Sequence, residues 1–269
     1  MADSDQYAYE AVEEWLWKVY AVPGVACDSQ DRVYVVRRSH QPAILIFDSE
    51  GNFLTSWGED IFEEPHGIWI SRDDHIYIAD TKDHTVRKLS LEGKVIMTLG
   101  RKGKPGKPGE PFNRPTRAVE SPSGEIFVSD GYGQQRVHKF GPDGTLLLSW
   151  GSKGKSPSQF DLPHSIWVDR QERVYVPDRP NNRIEIFTPE GEFMEQWTDL
   201  ISPNELFINA NNIVYVTEGT AQRISILTLE GKLLTRIRSR SPHGIWVDSE
   251  GAIYSAELIL GLQKFVRVV

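Results

Sequence analysis

The run PHGIWISRDDHIYIADTKDHTVRKLSLEGKVIMTLG, residues 65–100, decides the fold. Its opening Pro65-His66-Gly67-Ile68-Trp69 leads through a charged turn into the β-rich His75-Ile76-Tyr77-Ile78. A third strand, a Glu92-Gly93 turn and a fourth strand follow. Short runs of β-branched and aromatic residues between such turns predict antiparallel strands. The opening pentapeptide returns as Pro163-His164-Ser165-Ile166-Trp167 and as Pro242-His243-Gly244-Ile245-Trp246. Aligning on it exposes three further units, anchored at Pro23, Thr116 and Asn204. Each has an equivalent second strand: Val33-Tyr34-Val35, Ile126-Phe127-Val128 and Val214-Tyr215-Val216. Matching Gly turns recur at Gly51, Gly144, Gly191 and Gly231, and fourth strands end in Trp57, Trp150 and Trp197. Four short strands in units of about 40 to 50 residues are the signature of propeller blades. The expected fold is an all-β, six-bladed propeller, with residues 1–269 forming a single domain.

The sixth unit stops after its third strand, over Gly261 to Val268. A β-compatible segment, AVEEWLWKVY (11–20), is left over at the other end of the chain. It is expected to supply the missing strand, placing a closing strand at 10–20 and removing the open sheet edges. The alternative is a short surface helix.

Composition narrows the classes. A hydrophobic fraction of 39% with 25% charged residues is that of a globular protein. A formal net charge of −8 argues against a nucleic acid or an anionic membrane as the main partner. The acidic start MADSDQYAYEAVEEW has no apolar core of a secretory signal, and no run approaches the length of a membrane span. The lone cysteine, Cys27, has no internal partner. These features lead us to expect a cytoplasmic monomer.

Three of the seven histidines share one slot of the repeat: His66 in unit two, His164 in unit four and His243 in unit six. Alternate units of a six-membered ring are related by turns of about 120°, and the first strand of a blade lines the axis. Three imidazoles would therefore meet near one mouth of the channel. Three protein ligands with an open position make the arrangement of a catalytic zinc, with iron or manganese as alternatives. The alternative is three local turn residues, each bonding within its own blade. His40, His75, His84 and His138 do not share the slot and are assigned to surface or strand positions.

A second set follows the second strand. Asp80, Asp130, Asp178 and Glu218 occupy one slot in four units, expected to secure each blade by hydrogen bonds. The next slot holds Arg38 in unit one and Arg179 in unit four, which face each other across the ring. Tyr132 lies one residue beyond it in unit three. A metal flanked by two guanidiniums and a phenol would suit an anionic substrate. Rim residues in solvated salt bridges are the other reading of the same spacing.

The stretch Trp150-Gly151-Ser152-Lys153-Gly154-Lys155, continuing through Gln159-Phe160-Asp161-Leu162-Pro163, resembles the NHL repeat. The combined pattern resembles peptidyl-α-hydroxyglycine α-amidating lyase, a six-bladed propeller. The resemblance implies zinc on His66, His164 and His243 and an active-site tyrosine at Tyr132 within Ser129-Asp130-Gly131-Tyr132. It also implies arginines at Arg179 (Asp178-Arg179, followed by Asn182-Arg183-Ile184) and at Arg38, beside the competing Arg37. It implies a metal-dependent carbon-nitrogen lyase that cleaves an α-hydroxyglycine-type hemiaminal to an amide and glyoxylate. Tyr132 would be the general base, with Arg38 and Arg179 on the substrate carboxylate. The substrate would be a small or peptide-derived carboxylate.

Departures from the family pattern qualify this. The family's channel calcium relies on an aspartate after the third histidine, where this chain has Gly244, so strong calcium binding is not expected. Disulfides, secretion and a monooxygenase domain, found with the animal members, are not seen in this sequence. A smaller hemiaminal such as ureidoglycolate is therefore an alternative substrate, a zinc-dependent hydrolase an alternative activity, and a non-catalytic interaction propeller an alternative role. The Gly-Lys-Pro run from Arg101 to Pro111 is expected to be an exposed, mobile loop and no phosphate site.

Overall fold

The computed structural model describes residues 7–17, 20–38, 41–258 and 261–268. These residues form six four-stranded antiparallel sheets arranged as the blades of a propeller. In blades one to five the strands follow chain order, inner to outer, as in Pro65–Ile70, Ile76–Asp80, Thr85–Leu89 and Val95–Gly100 of blade two. Inner and second strands are buried along almost their whole length, because each sheet is covered on both faces by its neighbours. Fourth strands start with exposed apolar residues at the rim, such as Phe53, Leu54, Leu146 and Leu147.

The sixth blade is completed as the sequence suggested. Tyr9–Trp17 pairs antiparallel with Gly261–Arg267, with Tyr9 opposite Arg267 and Ala11 opposite Phe265. Lys18 and Val19, at the end of the expected segment, lie outside the described residues. Trp15 shows why this segment takes the outer position. In blades one, three and four, the terminal tryptophans Trp57, Trp150 and Trp197 pack on the turn glycines Gly93, Gly191 and Gly231 of the next blade. Trp15 packs in the same way on Gly51 of blade one. These glycines have φ between +76° and +95°, the left-handed conformation that the hairpin turns require. Trp15 is also buried, stacks edge-on against Tyr254 and lies under the ammonium of Lys264.

The acidic slot at the end of the second strand secures blades two to six. Asp80 accepts the backbone N–H groups of Glu63, Glu64, Lys82 and Asp83, and Asp178 those of Asp161 and Leu162. Asp130 and Glu218 serve Asn113 and Ile201. Glu257 extends the pattern to blade six by accepting from Ser239 and Arg240. His138 is buried on a strand against Asp130, His75 and His84 are half-buried in turns, and His40 lies outside the described residues. The loop from Arg101 to Pro111 is mostly exposed. Among the described residues no helix is long and apolar enough to cross a membrane.

Removing the closing tryptophan is expected to open the weakest seam. Trp15→Ala should lower unfolding free energy by about 3–5 kcal/mol in equilibrium denaturation, the usual cost of deleting a buried aromatic. A loss below about 1 kcal/mol would mean that this strand does not hold the ring.

Candidate metal centre

His66, His164 and His243 converge as the repeat alignment requires. Their ligand atoms lie within 4.8 Å of one another, and all three side chains are buried. Ring centroids are 4.7 to 5.0 Å apart and the planes nearly perpendicular. Two of the histidines sit within the first strand instead of just before it. Pro65 pairs with Asp80 and Pro242 with Glu257, and a bulge follows each pairing. His164 precedes the short strand Trp167–Val168, as expected.

The unsubstituted slots in the alternate blades have a function that side-chain reading missed. Each histidine donates its Nδ1–H to the backbone carbonyl at the same slot of the next blade. His66 bonds Thr116 at 2.8 Å, His164 bonds Asn204 at 2.9 Å and His243 bonds Pro23 at 2.7 Å. Because a carbonyl only accepts, the tautomer is fixed and each Nε2 carries a lone pair.

The Tyr132 hydroxyl lies 3.2 Å from Nε2 of His66 and 3.1 Å from Nε2 of His164. It has one proton to donate, so it cannot satisfy both nitrogens at once. Three convergent buried lone pairs with at most one donor are a donor set suited to a cation, and the residues present fit a tri-histidine metal. Gly131 brings Tyr132 there, since any side chain at 131 would collide with the Pro163 carbonyl.

Arg38 and Arg179 face the same centre. Both guanidinium charges act on His66 and on His243, and that of Arg179 also on His164. Arg179 opens a 3-10 turn, Arg179–Asn181, and its N–H is held by the Leu162 carbonyl. Arg38 pairs with Glu64 at 3.9 Å. Neighbouring Arg37 is tied to the Pro42 carbonyl through Nε and Nη2, and of the two it is the Arg38 charge that acts on His66 and His243. Both arginines are partly exposed, and the Arg38–Glu64 pair is itself partly open to solvent. A further cation, Arg114, lies over the Tyr132 ring at 5.4 Å, and nothing in the repeat pattern marked it.

Burial, reinforced by the surrounding positive charges, holds the His66 and His164 imidazoles well below their ordinary range. His243 is pushed down to about 3, chiefly by burial.

The axis below the histidines is occupied as well. The next ring of slots holds Gly24, Gly67, Arg117, Ser165, Glu205 and Gly244, and Arg117 forms a buried ion pair with Glu205. Calcium requires six to eight oxygen ligands. A ring of slots holding a guanidinium, a single carboxylate and three glycines does not fit that ion.

Comparison with known proteins follows the same lines. The NHL repeat family model matches residues 62–89. Human NHL repeat-containing protein 3 is 32% identical over 189 residues, covering 65% of this chain and 54% of that protein. Peptidyl-alpha-hydroxyglycine alpha-amidating lyase 1 of Drosophila melanogaster is 29% identical over 160 residues, covering 55% and 29%. The chain thus spans about half or less of the length of these relatives. Virginiamycin B lyase from Staphylococcus aureus superposes with a TM-score of 0.67 at 16% identity, covering 97% of this chain and 99% of that one, a likeness of fold. The chain is a six-bladed propeller that carries an NHL repeat at residues 62–89. In sequence it is similar to proteins named as amidating lyases.

The depressed histidines set a pH expectation. Ordinary imidazoles with a pKa near 6.5 would cost a three-histidine site roughly 1,000-fold in metal affinity between pH 7.5 and 5.5, through proton competition. Burial lowers all three imidazoles here, so chelator competition should show a fall well short of that figure. The stability of the metal-free fold should depend on pH instead. Its unfolded chain gains protons below about pH 6.5 that the folded histidines refuse, so stability should fall as pH drops from 6.5 toward 3.

Proposed function

We propose that this propeller is a metal-dependent lyase that cleaves the C–N bond of an α-hydroxyglycine-type hemiaminal. The observation that carries the proposal is the Tyr132 hydroxyl resting on two inward Nε2 atoms of the triad, with Arg38 and Arg179 directed at the same point. Similarity to proteins named as amidating lyases supports the same reaction class.

The reaction balances without a redox partner. An N-acyl-α-hydroxyglycine loses its hydroxyl proton, the oxygen electrons form the carbonyl of glyoxylate, and the C–N pair leaves on nitrogen. Nitrogen takes up one proton to give the amide. A divalent ion held by the three histidines, for which zinc is the first candidate, supplies Lewis acidity toward the hydroxyl. Tyr132, as general base, accepts the hydroxyl proton and returns it to the departing nitrogen, so no net proton is consumed. Arg38 and Arg179, in opposite blades, hold the carboxylate from two sides and fix the hemiaminal carbon beside Tyr132. The buried position of the histidines excludes bulk water and strengthens these charge interactions.

A second reading has its own support. The human relative is named for its repeats alone, which fits a propeller that binds a partner without chemistry. Metal content and glyoxylate release separate the two readings.

Zinc-replete protein should release glyoxylate from N-benzoyl-α-hydroxyglycine well above the spontaneous rate. Tyr132→Phe should lower kcat by about 10²- to 10⁴-fold with little change in KM. Arg179→Ala should raise KM at least tenfold, and a hemiaminal lacking the carboxylate should be similarly disfavoured. Release at the spontaneous rate by metal-loaded protein would sink the lyase assignment for this substrate class.

A further inference from the structure

The most costly group on the axis is one that the proposed chemistry does not touch. Arg117 is 1% exposed and Glu205 is 3% exposed. They come from blades three and five, and Gly67 leaves room beside Arg117 that a side chain would fill. None of the Arg117 guanidinium nitrogens makes a hydrogen bond, and Glu205 is the acidic group that faces it. Burial alone pushes the Arg117 guanidinium down to about 9. The lower side is closed by Trp167, whose ring lies 5.9 Å from the guanidinium carbon and packs against Phe207 and Trp246. Buried ion pairs rarely add net stability, so a pair retained here calls for a positional explanation.

The connections supply one. Arg117 directly follows Thr116, whose carbonyl holds His66. Glu205 directly follows Asn204, whose carbonyl holds His164. Glu205 Oε1 also accepts the Ile245 N–H at 3.1 Å, on the strand that carries His243. The Glu205 N–H donates to Thr217 Oγ1, and that hydroxyl also lies 2.9 Å from the His243 carbonyl. The side chain of Asn204 donates to the Pro242 carbonyl at 2.9 Å. One ion pair therefore links the residues whose carbonyls hold His66 and His164 with the strand that carries His243.

We propose that Arg117 and Glu205 form an axial brace that sets the spacing of the histidine triad and thereby its metal affinity. Both are positioning residues, and neither touches the metal. This rests on the tri-histidine metal reading. A brace predicts that the triad loosens when the pair is removed, even where the fold survives.

The test uses the full chain, stripped and reloaded with cobalt(II) or zinc. Affinity is measured by chelator competition and geometry by the cobalt d–d spectrum. The variants are Glu205→Gln, which retains an acceptor for Ile245, and the double change Arg117→Met with Glu205→Met, which leaves no unpaired charge. Both should bind metal about 10- to 100-fold more weakly than the unaltered protein, with a changed cobalt spectrum. The double variant should keep its metal-free melting transition. Affinity and spectrum matching the unaltered protein in a folded variant would overturn the brace. So would a loss of metal-free stability with affinity unchanged, which would reduce the pair to a structural one. If the double variant fails to fold, Glu205→Gln decides alone. Failure of the unaltered protein to take up either metal would overturn the metal reading itself, an outcome separate from the other two.

Discussion

Everything at the axis depends on closing the ring. Six inner strands reach a common axis only if the last blade meets the first, and the last blade is completed by the pairing of Tyr9–Trp17 with Gly261–Arg267. The seam is reinforced across its face by Asp31, which accepts from both the N–H and the hydroxyl of Ser249, and by Lys264, which donates to the Ser49 carbonyl. It also bears directly on the metal centre. The carbonyl that orients His243 belongs to Pro23 in blade one, on the other side of the seam. An opened ring would release that histidine before the other two.

The sequence was most legible where the structure repeats. Tyrosines of the second strands, glycine turns and terminal tryptophans recur in register because each blade meets its neighbours in the same way. A histidine in alternate units departs from that register, which is why the triad could be read without coordinates. The closing strand was legible because the sixth unit lacked a fourth strand and a β-compatible segment remained at the other end of the chain; Trp15 then takes the outer-strand tryptophan position seen in blades one, three and four.

Less legible were contacts made by the backbone or between slots of different identity. Carbonyls of Pro23, Thr116 and Asn204 orient the histidines, but a carbonyl is present at every residue and leaves no mark in the sequence. Spacing favoured Arg38 with Arg37 as a competitor, and the Pro42 carbonyl that takes up Arg37 left no trace in the sequence. Arg117 and Glu205 did leave a trace. A charged residue in an axis-lining slot that is glycine in three blades and serine in a fourth has no solvent to face. Reading each slot around the ring, as well as each blade along the chain, would have brought them out.

The three layers of the axis differ in charge in a way that bears on chemistry. Aromatic rings close the bottom, an ion pair of zero net charge fills the middle, and neutral imidazoles make the top. No negative charge in the upper layers neutralises a bound dication from below, because Arg117 already balances Glu205. The charge of an ion on the histidines would thus project toward the mouth, where Arg38, Arg179 and Tyr132 stand. Compensation would then come from an anion entering that mouth. A carboxylate-bearing substrate is the anion that the proposed reaction calls for, and the arrangement of charge along the axis favours it.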